Sequence, residues 1–267
     1  MSIKNFFVPR KYLNKLYNIF RSLYYRVVFD EKKLLDEQKQ NFIKNNWDYD
    51  KSLDYLNKIL SENKIDLFDD SEDSMISQHL IVFAALRDFK PKRILEIGTY
   101  DGKTSFILSK IFTNSQIITF DLNENSVYFN YNWKNAEEKY KINFFQKRNQ
   151  NLNQKNIKFI KDNSFNIPQY KLSSFDLIWV DGDHTYPVSA WDICNAYHLL
   201  NSKGIMMCDD IYLKQSFSYE KQSDVYEILE YVKGEGILDI KFVLKRLSKA
   251  FSSDPALRKH IAVIQKK

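Results

Sequence analysis

The sequence predicts an α/β fold: a doubly wound, mostly parallel seven-stranded sheet with an N-terminal helical extension. Three observations predict it. From residue 91 onward, short apolar runs alternate with helix-length segments, the pattern of parallel strands joined by right-handed crossovers. Before residue 72 the periodicity is helical throughout. The first apolar run, in RILEIGTYDG at 93–102, ends in a turn holding two of the chain's six glycines, Gly98 and Gly102. A chain so poor in glycine places it where the backbone needs a positive φ or a close approach.

The elements follow in order. Residues 10–28 carry Leu13, Leu16, Phe20, Leu23 and Val27 on one helical stripe, with Lys11, Lys15 and Arg26 off it. Further helices are expected at 31–45 and 50–63. The acidic run at 69–73 reads as a loop, with Ser71 or Asp73 capping a helix over 74–89. Strands follow at 93–98, 116–121, 157–162, 175–181 and 204–210. Between them lie helices at 104–112, 124–140 and 187–200, and a polar, basic loop at 141–155. After a helix at 224–233, strands at 240–247 and 260–265 have no clear helix between them. They form an antiparallel pair closing the sheet. The division expected is 1–72 as the helical extension and 73–267 as the α/β domain.

Composition bounds the rest. At 267 residues the chain holds one large domain plus an extension. The net charge of +6 is uneven: residues 1–29 have six basic side chains and no acid, and 134–161 have eight against Glu137 and Glu138. Such patches suit nucleic acid, an anionic membrane or an acidic substrate, or are simply solvated faces. No aromatic-rich binding motif accompanies them, so nucleic acid is not an expected partner. The amphipathic stretch 10–28 can pack on its own domain, join a second subunit in a homo-oligomer, or make peripheral membrane contact. Cys194 and Cys208 lack metal-ligand spacing and read as buried free thiols. With no signal-like apolar segment and no membrane-length run, the expected location is cytoplasmic.

In a doubly wound sheet, ligands bind beyond the carboxyl ends of the strands. Polar residues gather at those ends. Strand one ends at Glu96 and Gly98, strand two at Asp121, strand three at Asp162, Asn163 and Ser164. Strand four ends at Asp181, Asp183 and His184, and strand five at Asp209 and Asp210. Asp121 is placed to accept both hydroxyls of a ribose, and Asp162-Asn163-Ser164 can hydrogen-bond an adenine. The spacing E-x-G-x-x-x-G is not the nicotinamide dinucleotide fingerprint. Acids around the ligand suit a cationic nucleoside better than a pyrophosphate.

These residues resemble class I S-adenosylmethionine-dependent methyltransferases over 74–267. EIGTYDG resembles the family's first motif, Asp121 its ribose acid, and Asp162, Asn163 and Ser164 its adenine position. The resemblance implies a Rossmann-like methyltransferase fold and S-adenosylmethionine (SAM) as cofactor. It implies cofactor contacts from Glu96, Gly98, Thr99, Tyr100, Gly102, Thr104, Asp121, Asp162, Asn163, Ser164 and Asp183.

Neighbouring strands four and five bring VDGDHTY opposite CDDI. Asp181, Asp209 and Asp210 are expected to converge, and three carboxylates without basic partners repel unless a cation sits between them. Oxygen ligands favour Mg²⁺ or Mn²⁺. The spacing resembles that of catechol-type and macrocin-type sugar O-methyltransferases, which hold a divalent metal at matching positions. Asp183 is the alternative to Asp181 as the strand-four ligand. His184 stands where catechol-type enzymes carry lysine and is the expected general base beside Asp181. Asp209-Asp210 replaces their Asp-Asn pair, which places the chain nearer the sugar-modifying branch. The expected reaction is O-methylation of a small hydroxylated acceptor, a sugar, glycan or natural-product hydroxyl. A metal-independent N-methyltransferase and a non-catalytic SAM-binding scaffold are the alternatives. Tyr212, Lys214 and Tyr219 are candidates for acceptor selection, and His79, Trp179 and Trp191 read as core residues.

Overall fold

The computed structural model describes residues 10–69, 76–213 and 225–267, the side chains of residues 10–14 and of Asn132 excepted. Three helices come first: α1 (Arg10–Val27), α2 (Glu31–Ile43) and α3 (Tyr49–Glu62). Asp30 and Asp48 cap α2 and α3 by accepting the Lys33 and Lys51 N–H groups. The expected caps Ser71 and Asp73 lie outside the described residues. The next helix, α4 (His79–Ala85), continues as a 3-10 turn over Leu86–Phe89.

The strands are β1 (Arg93–Ile97), β2 (Gln116–Asp121), β3 (Ile157–Lys161), β4 (Phe175–Val180), β5 (Leu200–Tyr212), β6 (Leu238–Leu244) and β7 (Lys259–Lys266). They form one seven-stranded sheet in the order β3-β2-β1-β4-β5-β7-β6. The first five pair in parallel, and β7 runs antiparallel to both β5 and β6. This is the Rossmann-like methyltransferase fold expected from the sequence. The last two strands are the antiparallel closing pair expected, with β7 inserted between β5 and β6.

The connecting helices are α5 (Lys103–Ile111), α6 (Val127–Trp133), α7 (Glu138–Leu152), α8 (Val188–Leu199), α9 (Val225–Gly234) and the single turn α10 (Lys249–Ser252). Helix α7 corrects the loop expected over 141–155. Its Lys- and Asn-rich sequence has a weak apolar stripe, but Phe144 and Arg148 are buried one turn apart.

Alternation along the strands splits the core in two. Ile94, Leu177, Trp179 and Met207 face one layer, which contains Leu34, Phe42, Leu56 and Leu60 of α2 and α3 as well as α4 and α5. Leu95, Ile97, Ile178 and Val180 face the other, against Ile193 of α8 and Leu229 of α9. The N-terminal helices therefore cover part of one sheet face. His79 stacks on Trp179 at 5.1 Å, and both are core residues as expected. Trp191 and Cys194 are not. Both lie on the outer side of α8, Trp191 against Phe165.

Candidate active site

The turn after β1 crosses the end of β4 at van der Waals limit. Gly98 has φ +100°, and a Cβ there would fall 2.1 Å from the Asp181 carbonyl oxygen. The Gly98 N–H donates to the Phe120 carbonyl at 2.9 Å, and the Asp181 N–H to the Ile97 carbonyl at 2.8 Å. Gly102 begins α5 in the left-handed region, with Leu152 where a side chain would go. Both glycines are thus required by the backbone, as the turn reading expects.

Asp121 closes this turn. Its Oδ2 accepts the Tyr100 N–H at 2.6 Å and its Oδ1 the Leu122 N–H at 2.7 Å. Tyr100 itself sits at φ +48°, an uncommon conformation for a non-glycine residue. Burial holds the Asp121 carboxyl above its ordinary range despite these N–H bonds. Thr99 is buried, its hydroxyl 2.6 Å from that of Thr119, and Thr104 is half-buried on the first turn of α5.

Glu96 needs correction as a ligand contact. It is fully buried beneath the turn, where Ser105 and Thr119 hydroxyls donate to its Oε2. Burial pushes its pKa up to about 7, against those two bonds. Glu96 braces the turn from below; the face toward the sheet edge belongs to Gly98, Tyr100 and Asp121.

At the end of β3, Asp162 accepts the Tyr170 hydroxyl at 2.7 Å, the Asn166 amide at 2.8 Å and the Asn163 N–H at 2.7 Å. The Tyr170 bond leads in lowering its pKa. Asn163 caps the 3-10 helix Ser164–Tyr170 by accepting the Phe165 N–H. Ser164 bonds Asp192, whose carboxyl is buried and pushed up to about 6. Asp183 is exposed and turned onto Thr185, accepting its N–H at 2.8 Å and its hydroxyl at 2.6 Å.

The ends of β4 and β5 form the second half of the site. Successive residues on a strand point to opposite faces, so Asp209 and Asp210 should diverge. They do not, because β5 is bulged here: Cys208 pairs with Ala262 and Ile211 with His260, leaving two residues opposite one. Asp210 takes φ +59° to make the bulge, which turns its carboxylate back toward the site. Asp181, His184 and Asp209 each bring a donor atom within 4.8 Å of the others. The His184 Nε2 lies 3.5 Å from Asp181 Oδ1 and 3.7 Å from Asp210 Oδ2. A small cavity of about 10 Å³, room for about one water molecule, is lined by Asp183, His184, Ser189, Cys208 and Asp209.

Two lysines absent from the sequence reading meet these acids. Lys245 follows β6 and pairs with Asp209, and with Asp210 Oδ1 at 2.5 Å. Lys259 begins β7 and pairs with Asp210 Oδ2 at 2.6 Å. The expectation of three carboxylates without basic partners is therefore corrected. Burial works to raise the Asp210 pKa, but Lys245, His184 and Lys259 hold it well below the carboxylate range. Burial and the negative charge of Asp209 hold Asp181 well above that range. Burial opposes the Lys245 ammonium, and Asp209, Asp210 and Asp181 together raise its pKa.

The donor set partly fits a divalent ion. Asp209 Oδ1 is buried without a hydrogen-bond partner, and one oxygen of Asp181 is close by. Both oxygens of Asp210 are already engaged by ammonium groups. A further buried cation, Arg148, pairs with Glu124 and lies over the Phe144, Phe145 and Phe159 rings. It joins α7 to the segment after Asp121. Of the acceptor-loop candidates, Tyr212 is half-buried with the Lys259 ammonium 5.6 Å from its ring centre. Lys214 and Tyr219 lie outside the described residues.

Comparison with known proteins gives three findings. Residues 95–211 match a family model described as a methyltransferase domain. Among curated proteins no relative matches the chain. The structure is similar to that of the O-methyltransferase TomG from Streptomyces achromogenes, involved in tomaymycin synthesis and solved in complex with SAM. The TM-score is 0.52 at 12% identity, covering 87% of this chain and 98% of that one. It is also similar to an O-methyltransferase from Bacillus cereus in complex with S-adenosylhomocysteine (SAH). There the TM-score is 0.51 at 13% identity, covering 80% of this chain and 90% of that one. Both are likenesses of fold.

Proposed function

We infer that this chain, whose residues 95–211 match a methyltransferase-domain family model, is a SAM-dependent O-methyltransferase acting on a small hydroxylated acceptor. The observation that carries the reading is the meeting of two half-sites. The Gly98–Asp121 turn lies directly against the strand end that bears Asp181, next to His184 and Asp209. TomG and the Bacillus cereus enzyme, both similar in fold, were solved with SAM and SAH respectively.

When bound, SAM supplies an electrophilic methyl group. The turn at Gly98, Thr99 and Tyr100 and the carboxylate of Asp121 would hold it, with Asp162 to Ser164 toward the adenine. In this reading Asp121 shares its oxygens between the turn N–H groups and the ribose. A carboxylate has about four acceptor positions, so both fit. Asp181 and Asp209 would hold a Mg²⁺ or Mn²⁺ ion, which when bound makes an acceptor hydroxyl more acidic. His184 takes the hydroxyl proton at its ring nitrogen. Asp181 and Asp210 flank the imidazole at 3.5 and 3.7 Å and orient its ring. The acceptor would sit over the mouth of the small cavity beside His184 and Asp209, whose wall is apolar at Val180, Ile193 and Val225.

A second reading is metal-independent transfer, including transfer to an amine. The observation that favours it is Lys245, a cation already seated between Asp209 and Asp210. Calorimetric titration of SAH with Mg²⁺ and then with chelator, followed by methyl-transfer assays under both conditions, tests these readings. Micromolar SAH binding with turnover only in metal supports the first reading. Turnover undiminished in chelator selects the second, and no SAH binding in either condition rejects both.

A further inference from the structure

Helix α1 sits on the body with its polar side inward. Asn18, Arg21 and Tyr25, spaced i, i+3 and i+7, are its half-buried positions. Arg21 pairs with Asp254 at 2.8 Å and its guanidinium lies 5.7 Å from the Tyr25 ring centre. Phe29, just past the helix, packs against the core. The apolar stripe faces the other way. Leu16, Phe20, Leu23 and Val27 follow i, i+4, i+7 and i+11, and are 50%, 68%, 55% and 83% exposed. A helix that only covered its own domain would show the reverse order, because apolar area left in water is a cost with no return.

The charge around that stripe indicates what covers it. Lys15 and Arg26 lie on the same border of the stripe and are exposed. The first 29 residues carry six basic side chains and no acid. A second copy of α1 laid on this face would bring like charges together. An anionic surface would be attracted, and a helix lying in the interfacial plane buries an apolar face with basic borders. The helix does not cross: no described helix is long and apolar enough to do so.

We propose that the outward face of α1, centred on Phe20 and Leu23, docks the protein onto an anionic lipid surface. The proposal is independent of the cofactor and acceptor readings. It is tested by co-sedimenting the full chain with vesicles of phosphatidylglycerol and phosphatidylcholine, and with vesicles of phosphatidylcholine alone. The wild-type chain pellets with the anionic vesicles and is released as salt rises, since screening weakens the basic contacts. Phe20→Asp/Leu23→Asp lowers partitioning about tenfold or more, because it removes the inserted apolar groups. Lys15→Glu/Arg26→Glu removes the preference for anionic lipid, and keeps the test decisive if the first pair disturbs the fold. Three results would overturn the proposal. One is equal pelleting of the wild-type chain and the Phe20/Leu23 variant. Another is no pelleting of the wild-type chain. The third is concentration-dependent self-association in light scattering that this variant abolishes, which would assign the face to a second copy.

Discussion

Gly98 and Asp181 lock the two halves of the site together: no side chain fits on Gly98 without striking the Asp181 backbone. The contact joins the glycine turn after β1 to the strand end that carries the acids, so neither can shift alone. Gly98→Ala meets both this clash and an unfavourable φ of +100°. We expect a loss of about 2 kcal/mol or more in stability and at least tenfold weaker SAH binding. A thermal melt and an SAH titration check this. An unchanged melt with unchanged affinity would mean that the two half-sites are not mechanically coupled.

Lys245 is the nearest thing to a bound cation among the three acids. Lys245→Met leaves Asp209 and Asp210 buried with less compensation. Removing one partner of such a pair costs about 3–5 kcal/mol. Added Mn²⁺ or Mg²⁺ should then raise the melting temperature of the variant more than that of the wild-type chain, since the ion takes over the lost positive charge. If the variant is destabilised and neither ion restores it, the acids are a lysine-bridged network and not a metal site.

The strand ends were legible because parallel strands deliver their last residues to one edge, whatever the details of packing. The turn was legible because glycine is scarce here. The convergence of Asp209 and Asp210 was legible as an adjacent pair, but its cause, a bulge with Asp210 at φ +59°, leaves no residue signature. Lys245 and Lys259 were not legible. They lie 36 and 49 residues from the acids they meet, and a lysine at a strand end is ordinarily solvated. Arg148 was hidden for a related reason: it sits in a polar run, and it meets Phe144 and Phe145 only once α7 has formed and Phe159 only once α7 packs on β3. The placement of Glu96 turned on depth. Its sequence position is that of a strand-end acid, but its side chain goes under the sheet edge.

That depth makes Glu96 a source of pH dependence. Its folded pKa of about 7 stands above the ordinary 4.5. A raised folded value means that the folded state holds its proton more tightly. The contribution to stability is therefore complete below about pH 4.5 and is lost as pH rises through 7. The full span of this loss is about 3 kcal/mol. Glu96→Gln keeps the shape and stays neutral, so its stability should fall less than that of the wild-type chain between pH 5 and 8. Asp192, pushed up to about 6, titrates in both proteins and cancels in the difference. Denaturant unfolding at several pH values measures it, and parallel curves for the two proteins would contradict a buried, protonated Glu96.

The N-terminal helices are tied to the sheet by Gln38. This buried side chain accepts the Leu244 N–H at 2.9 Å and donates to the Leu244 carbonyl at 3.0 Å. Leu244 is the last residue of the edge strand β6, where unpaired backbone groups would otherwise be left in a dry contact. Gln38→Leu strands both groups, a cost of about 2–4 kcal/mol. Removing residues 1–72 altogether does more, because it uncovers the core layer that Leu34, Phe42, Leu56 and Leu60 close. We therefore expect the truncated chain to aggregate or to melt without cooperativity, and Gln38→Leu to melt cooperatively at a lower temperature. A truncated chain with wild-type cooperativity and SAH affinity would show that α2 and α3 are a dispensable cover and not part of the fold.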